Sequence, residues 1–202
     1  AQALAAEVAS SIYKARQLTR EQEQAWITTA QLQMAETIGR YDDRDEMLAA
    51  VARLVPILAG VDLCGFIIRD EDSDSYRGIA LFDANGDEDP EIDQIEMKIG
   101  NWGALDAVHI GCQPMTTEQI PSWLRRFNPQ CLRLFPLPGG QGENRGVLLV
   151  DPGTDESCDD MSGDVHPPQS KYPQREELLS NFARQAAQAL DSAYLRTAQQ
   201  EE

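Results

Sequence analysis

The sequence predicts an α+β domain: an antiparallel sheet with its helices gathered on one face. Three observations lead there. Long helical patterns occupy both ends of the chain, over residues 1–40 and from Glu176 onward. Short apolar runs parted by polar turns lie between them. Several of those turns are shorter than the dozen or so residues a parallel crossover needs, so neighbouring strands pair antiparallel and the helices segregate.

Residues 1–40 contain no proline and one late glycine, Gly39, and are dominated by Ala, Gln, Glu and Leu. These are good helix formers. Leu4, Val8, Ser11, Ala15, Leu18, Gln22, Ala25, Thr29 and Leu32 recur at steps of three and four. That is heptad spacing, with several polar or small residues in the seam, and it predicts a long helix covered by a second copy. The alternative is a helix packed on its own domain. Tyr41-Asp42-Asp43 interrupts the pattern, and Asp43 with Glu46 forms a capping-box signature. Leu48, Val51, Leu54, Val55 and Leu58 then make one apolar face, ended by Gly60. Pro56, within the last turns, is expected to kink or shorten that helix.

Residues 63–68 and 76–82 read as strands of a hairpin, joined by the polar turn 70–75. After an acidic loop at 83–93, short strands are expected at 94–99 and 113–117. Short helices are expected at 101–108 and 120–126. Residues 131–137 and 147–151 are two further strands, around the glycine-rich segment 138–146. Residues 152–173 hold four prolines and many acids and read as a loose loop. In the last helix, Leu179, Phe182, Ala183, Ala186, Leu190 and Ala193 mark the buried stripe.

The formal net charge is −17. That excludes the basic footprint a nucleic acid or an anionic membrane surface requires. No apolar run approaches the ~20 residues that span a bilayer, so no membrane insertion is expected in this segment. The four cysteines, Cys64, Cys112, Cys131 and Cys158, are widely spaced with no CxxC pair. A disulfide framework or structural zinc is therefore not expected, and a reducing cytoplasm is the default location.

The two ends echo each other. AEVASSIY at residues 6–13 and AQALDSAY at 187–194 share alanine, serine and tyrosine at matching offsets. About one domain length separates them, as in a tandem array. Chance likeness between two alanine-rich helices is the alternative.

Taken in order, three segments resemble the GAF domain family. MLAAVARLVPILAGVDLCGFIIRD (47–70) resembles its opening helix and "GVDxCGxxL" strand. CLRLFPL (131–137) followed by RGVLLVD (145–151) resembles its late hairpin, and ELLSNFARQAAQAL (177–190) its closing helix. Each is only a hydrophobic pattern, and the specificity lies in their order and spacing. The resemblance implies a GAF-like antiparallel six-stranded sheet with terminal helices packed on one face, preceded by a long N-terminal signalling helix. On the other face it implies a small-molecule pocket, roofed by the segment between the second and fifth strands. It divides the chain into a connecting helix (1–24), a GAF-like domain (25–195) and the start of an outgoing helical linker (196–202). It further implies a regulatory role toward an attached output domain, often with dimerisation through the terminal helices.

The chemistry offered by the residues is thin. The segment 138–146 has no lysine and is followed by a strand, so it lacks what a phosphate-binding loop needs: a helix N-terminus and a cation. It reads as a hairpin turn. The segment DANGDED (83–89) has oxygen ligands at alternate positions. Gly86 comes too early for an EF-hand, however, and Gln94 stands where a bidentate glutamate belongs, so a solvated acidic loop is expected. His109 and His166 are the only histidines, and no Ser-His-Asp or Cys-His set has supporting context. Neither Cys112 nor Cys131 is followed by histidine, unlike the bilin-bearing relatives, and the cyclic-nucleotide signature of the family is absent. Bilin, haem and cyclic nucleotide are each disfavoured, and no metal is expected.

The candidate pocket residues are Phe66, Ile68, Trp102, His109, Cys112, Trp123, Phe127 and Cys131, since apolar and aromatic side chains dominate such linings. The candidate dimerisation residues are Leu4, Val8, Leu18, Leu32, Leu190 and Tyr194. The expected function is a non-enzymatic regulatory sensor module that binds a small ligand, or pairs as a homodimer through its terminal helices, or both, and signals to an attached output domain. One alternative is a structural spacer with a filled pocket. Another is a reductase of methionine sulfoxide using Cys64, Cys112 and Cys131.

Overall fold

The computed structural model describes residues 2–70, 73–140, 143–153 and 173–200. Helix α1 (Gln2–Ile38) turns back through a short connection into α2 (Arg44–Ala59). Strands β1 (Leu63–Asp70) and β2 (Ser75–Asp83) follow as a hairpin, then β3 (Glu96–Lys98), α3 (Gly103–Gly111) and β4 (Met115–Thr117). The late hairpin is β5 (Leu132–Pro138) and β6 (Asn144–Asp151), and α4 (Pro173–Gln200) closes the described chain. Single 3-10 segments stand at Ile92–Gln94 and Ser122–Phe127. The loose loop expected at 152–173 lies largely outside the described residues.

The six strands form one sheet in the order β3-β2-β1-β6-β5-β4, each pair antiparallel. β1 lies at its centre. Its side chains divide by parity: Cys64, Phe66 and Ile68 face α1, α2 and α4, while Leu63 and Ile67 face the opposite side. Where β2 carries an extra residue, the register slips between Phe66 and Ile67, so both strands keep their apolar sets on the intended faces.

Asp43 caps α2, its carboxylate accepting from the Asp45 and Glu46 amides at 2.9 Å each. Gly60 ends the helix in the left-handed conformation at φ 62°. Pro56 neither shortens nor ends α2. It lies three residues from the last helical position, and its carbonyl accepts from Gly60 and Val61 at 2.9 and 3.3 Å. The missing proline N–H therefore costs one bond in a helix that is already closing.

Helix α1, about 55 Å long at 1.5 Å per residue, buries Ala30 and Met34, with Ile27 and Ile38 partly covered. The heptad residues Leu18, Gln22, Ala25, Thr29 and Leu32 are all exposed. At 100° per residue the two stripes lie on roughly opposite faces. The heptad seam is thus not the stripe that docks α1 on its own domain.

Helices α1 and α4 run in the same direction. α1 reverses into α2. α4 also runs against α2, because Tyr194 near its end accepts a hydrogen bond from Arg44 at the start of α2, 2.8 Å away. Arg175, near the start of α4, lies beside Gly60 at the end of α2.

Candidate functional site

The sheet face away from the terminal helices is covered by α3 and by the 3-10 segments. Tyr76, Met97, Leu105, Val108, Leu124 and Leu134 are buried there and fill the space between the sheet and its roof. Two recesses lie open at the margins among the described residues.

The first, of about 570 Å³, is lined by Met97, Asn101, Trp102, Glu118, Gln119, Ile120, Pro121, Ser122, Trp123 and Arg125. Trp102 closes the N-terminal end of α3, and its indole N–H donates to the Gln119 carbonyl at 3.0 Å. The buried indole N–H of Trp123 has no hydrogen-bond partner among the described residues. Two indole rings beside a carboxylate, a guanidinium and two amides suit a small, partly apolar molecule carrying hydrogen-bond acceptors.

The second recess, of about 390 Å³, lies where β1 begins and β2 and β6 end. Asp62, Asp83, Asn85, Phe127, Asn128, Gln130 and Asp151 line it. Burial, with Asp62 nearby, raises the Asp151 carboxyl above the ordinary range, against the Gly153 amide that donates to it. Burial also opposes the charge of Asp83, but the Asp87 and Asn85 amides and the Asn85 side chain hold its carboxyl below that range. The acidic loop expected to be solvated is therefore partly self-satisfied. Its Asp89 is buried and paired with Arg126, which also holds Glu91. Among the described residues no group of three or more His, Cys, Asp or Glu is placed to hold a metal ion.

The predicted pocket residues are dispersed. Trp102 and Trp123 meet in the first recess, and Phe127 lines the second. Phe66 and Ile68 belong to the helix-side core and line neither recess, because β1 turns its even-numbered residues toward the helices. His109 and Cys112 sit at the C-terminal end of α3, where the Cys112 thiol lies 3.7 Å from the His109 carbonyl. Sequence reasoning missed Met97, Asn101, Glu118, Gln119 and Arg125, which stand on short segments whose periodicity is too brief to read.

The two free cysteines among the described residues, Cys64 and Cys112, lie on opposite faces of the sheet. Cys64 is wholly buried on the helix side, and burial pushes its thiol far up, whereas Cys112 lies on the other face. Cys131 is disulfide-bonded, against the expectation from the cysteine spacing.

Of the predicted dimerisation residues, Leu18 and Leu32 are 56% and 60% exposed. Leu4 and Val8 lie outside the residues whose side chains are described. Leu190 is fully buried in the helix-side core and is not part of a free seam. Tyr194 is half-buried, its ring between the guanidinium groups of Arg44 and Arg145 at 5.4 and 5.1 Å.

No family model and no curated protein matches the sequence. Solved structures do match its fold. A methyl-accepting chemotaxis protein segment, residues 122 to 287, superposes with a TM-score of 0.62 at 18% identity, covering 82% of this chain and 99% of that one. The GAF domain of a phosphoenolpyruvate-protein phosphotransferase from Coxiella burnetii gives 0.64 at 14%, covering 85% and 96%. The GAF domain of a putative sensor histidine kinase from Pseudomonas syringae pv. tomato gives 0.60 at 14%, covering 90% and 96%. The chain therefore has the GAF domain fold, and its structural neighbours include GAF domains of proteins described as sensors. Among the described residues no helix is long and apolar enough to cross a membrane.

Proposed function

We propose that this chain is a regulatory sensor module that pairs with a second copy along α1 and passes a change in helix packing through α4 to an attached output domain. It performs no chemistry of its own. A small ligand occupies the Trp102–Trp123 recess and shifts the helix packing to the extent that it binds one packing more tightly than the other. The observation that carries this reading is the exposed stripe Leu18, Gln22, Ala25, Thr29 and Leu32, on a helix whose other stripe is already buried in the domain. A surface helix of this length with an unpartnered heptad face is what a partner helix covers. The sensor proteins among the structural neighbours support the same role.

Sedimentation equilibrium tests it. The wild type should be a dimer, and a variant carrying Leu18→Glu with Leu32→Glu a folded monomer, with at least a tenfold weaker association and a thermal midpoint that no longer rises with protein concentration. A wild-type monomer at high concentration overturns the pairing. Native mass spectrometry of the purified protein tests the ligand. The filled interior between sheet and roof favours a second reading, a spacer that only dimerises, and the absence of any bound molecule together with a stable dimer would select it.

A further inference from the structure

Arg69 and Tyr76 stand directly opposite each other across β1 and β2, on the face covered by α3. Over them α3 places Asp106 and His109, three residues apart and so on one helix face. The Arg69 Nη1 lies 3.1 Å from His109 Nε2, and the Tyr76 and His109 rings meet edge to face at 5.9 Å. An arginine only donates. Nε2 must then be the accepting lone pair, so the imidazole is neutral with its proton on Nδ1. Four buried polar atoms here have no hydrogen-bond partner among the described residues: His109 Nδ1, Asp106 Oδ1, Tyr76 Oη and Arg69 Nε. The other Asp106 oxygen accepts from the Gly100 amide at 3.0 Å, just ahead of Trp102.

We propose that His109 is a proton-operated latch: protonation breaks its contact with Arg69 and releases the C-terminal end of α3 from the sheet, so that the module responds to mild acid. The proton that arrives on Nε2 turns an acceptor into a donor and sets two cations 3.1 Å apart. The neighbouring acids offer the imidazolium another place. Asp106 has an unengaged oxygen on the same helix, Asp74 lies beyond Arg69 at 3.1 Å, and Glu143 stands ahead of β6. Among the described residues these groups, with Arg69 from β1 and Tyr76 from β2, are the charged and titratable ones that face the ring. β6 adds only the neutral amide of Asn144, which donates to the Val108 carbonyl at 3.4 Å. Because Asp106 also holds the backbone before Trp102, a swing of His109 toward it reaches both ends of α3.

The sign follows. Burial first, then the Arg69 guanidinium, lowers the imidazole below its ordinary value, against the pull of Asp106, Asp74 and Glu143. A histidine depressed in this way stabilises the latched form fully above about pH 6.5, and that contribution is lost as pH falls through the lowered value. The same window governs release of α3.

The test is an NMR titration of a His166→Gln chain, in which His109 supplies the sole imidazole signal. His109 should titrate below the free-imidazole midpoint, and the amides of residues 103–111 and the Trp102 indole should follow the same curve. Arg69→Gln should move that midpoint up, and His109→Gln should abolish the step in α3 and Trp102. An unmoved midpoint in Arg69→Gln, or an α3 step that survives His109→Gln, overturns the latch. Neither outcome depends on the dimer or on a ligand in the Trp102–Trp123 recess.

Discussion

Gly146 shows how sharply one position can be fixed. It sits on β6 opposite Ile68 of the central strand at φ 156°, and an added Cβ would lie 2.2 Å from the Ile67 carbonyl oxygen. That neighbour is backbone of the most constrained strand and cannot yield. Gly146→Ala should therefore cost about 2–4 kcal/mol, read as a lower urea midpoint at unchanged slope. A variant as stable as the wild type would show that β1 gives way. The sequence signals only a glycine in a turn-rich stretch here. The hydrogen bonds from Leu137 and Gly146 to the Asn144 side chain, at 3.0 and 3.2 Å, make the glycine part of the strand rather than of the turn. The same limit misplaced Phe66 and Ile68. The run LCGFII is buried on both faces, so no polar–apolar alternation exists from which to read the parity of each side chain.

Elements were far more legible than sites. The capping pair at Asp43, the left-handed Gly60 and the apolar stripe of α4 each act within one turn of helix, and local physics writes itself into local sequence. Asp43→Ala should cost about 1 kcal/mol, checked by thermal unfolding, and Asp43→Ser should recover most of it. Equal losses in both variants would mean that the cap is not the cause. The long-range pairings were not legible in the same way. Arg126 joins the 3-10 segment Ser122–Phe127 to buried Asp89, and Arg77 joins β2 to Asp45 at 2.8 Å. Neither partner's position is predictable from the other, because the fold alone brings them together. The α1 heptads were legible as a seam but concealed the Ile27, Ala30 and Met34 stripe, since two patterns share one helix.

At the scale of the whole molecule, a net charge of −17 goes with several ion pairs that are exposed at both partners. Self-repulsion of that size is screened by salt, so raising the ionic strength from about 0.02 to 0.5 M should lift the thermal midpoint by about 2–4 °C. A fall would mean that the exposed pairs outweigh the repulsion. One further consequence follows from the parallel course of α1 and α4. Because one helix approaches from the end of the domain opposite to where the other departs, the domain is built like a coupling on a shaft rather than a hairpin bend. In the sensor module proposed above, rotational phase is the quantity such a coupling would convey. Each residue inserted in a rigid helical continuation of α4 turns everything beyond it by about 100°, and seven bring it back to within about 20° of its starting phase.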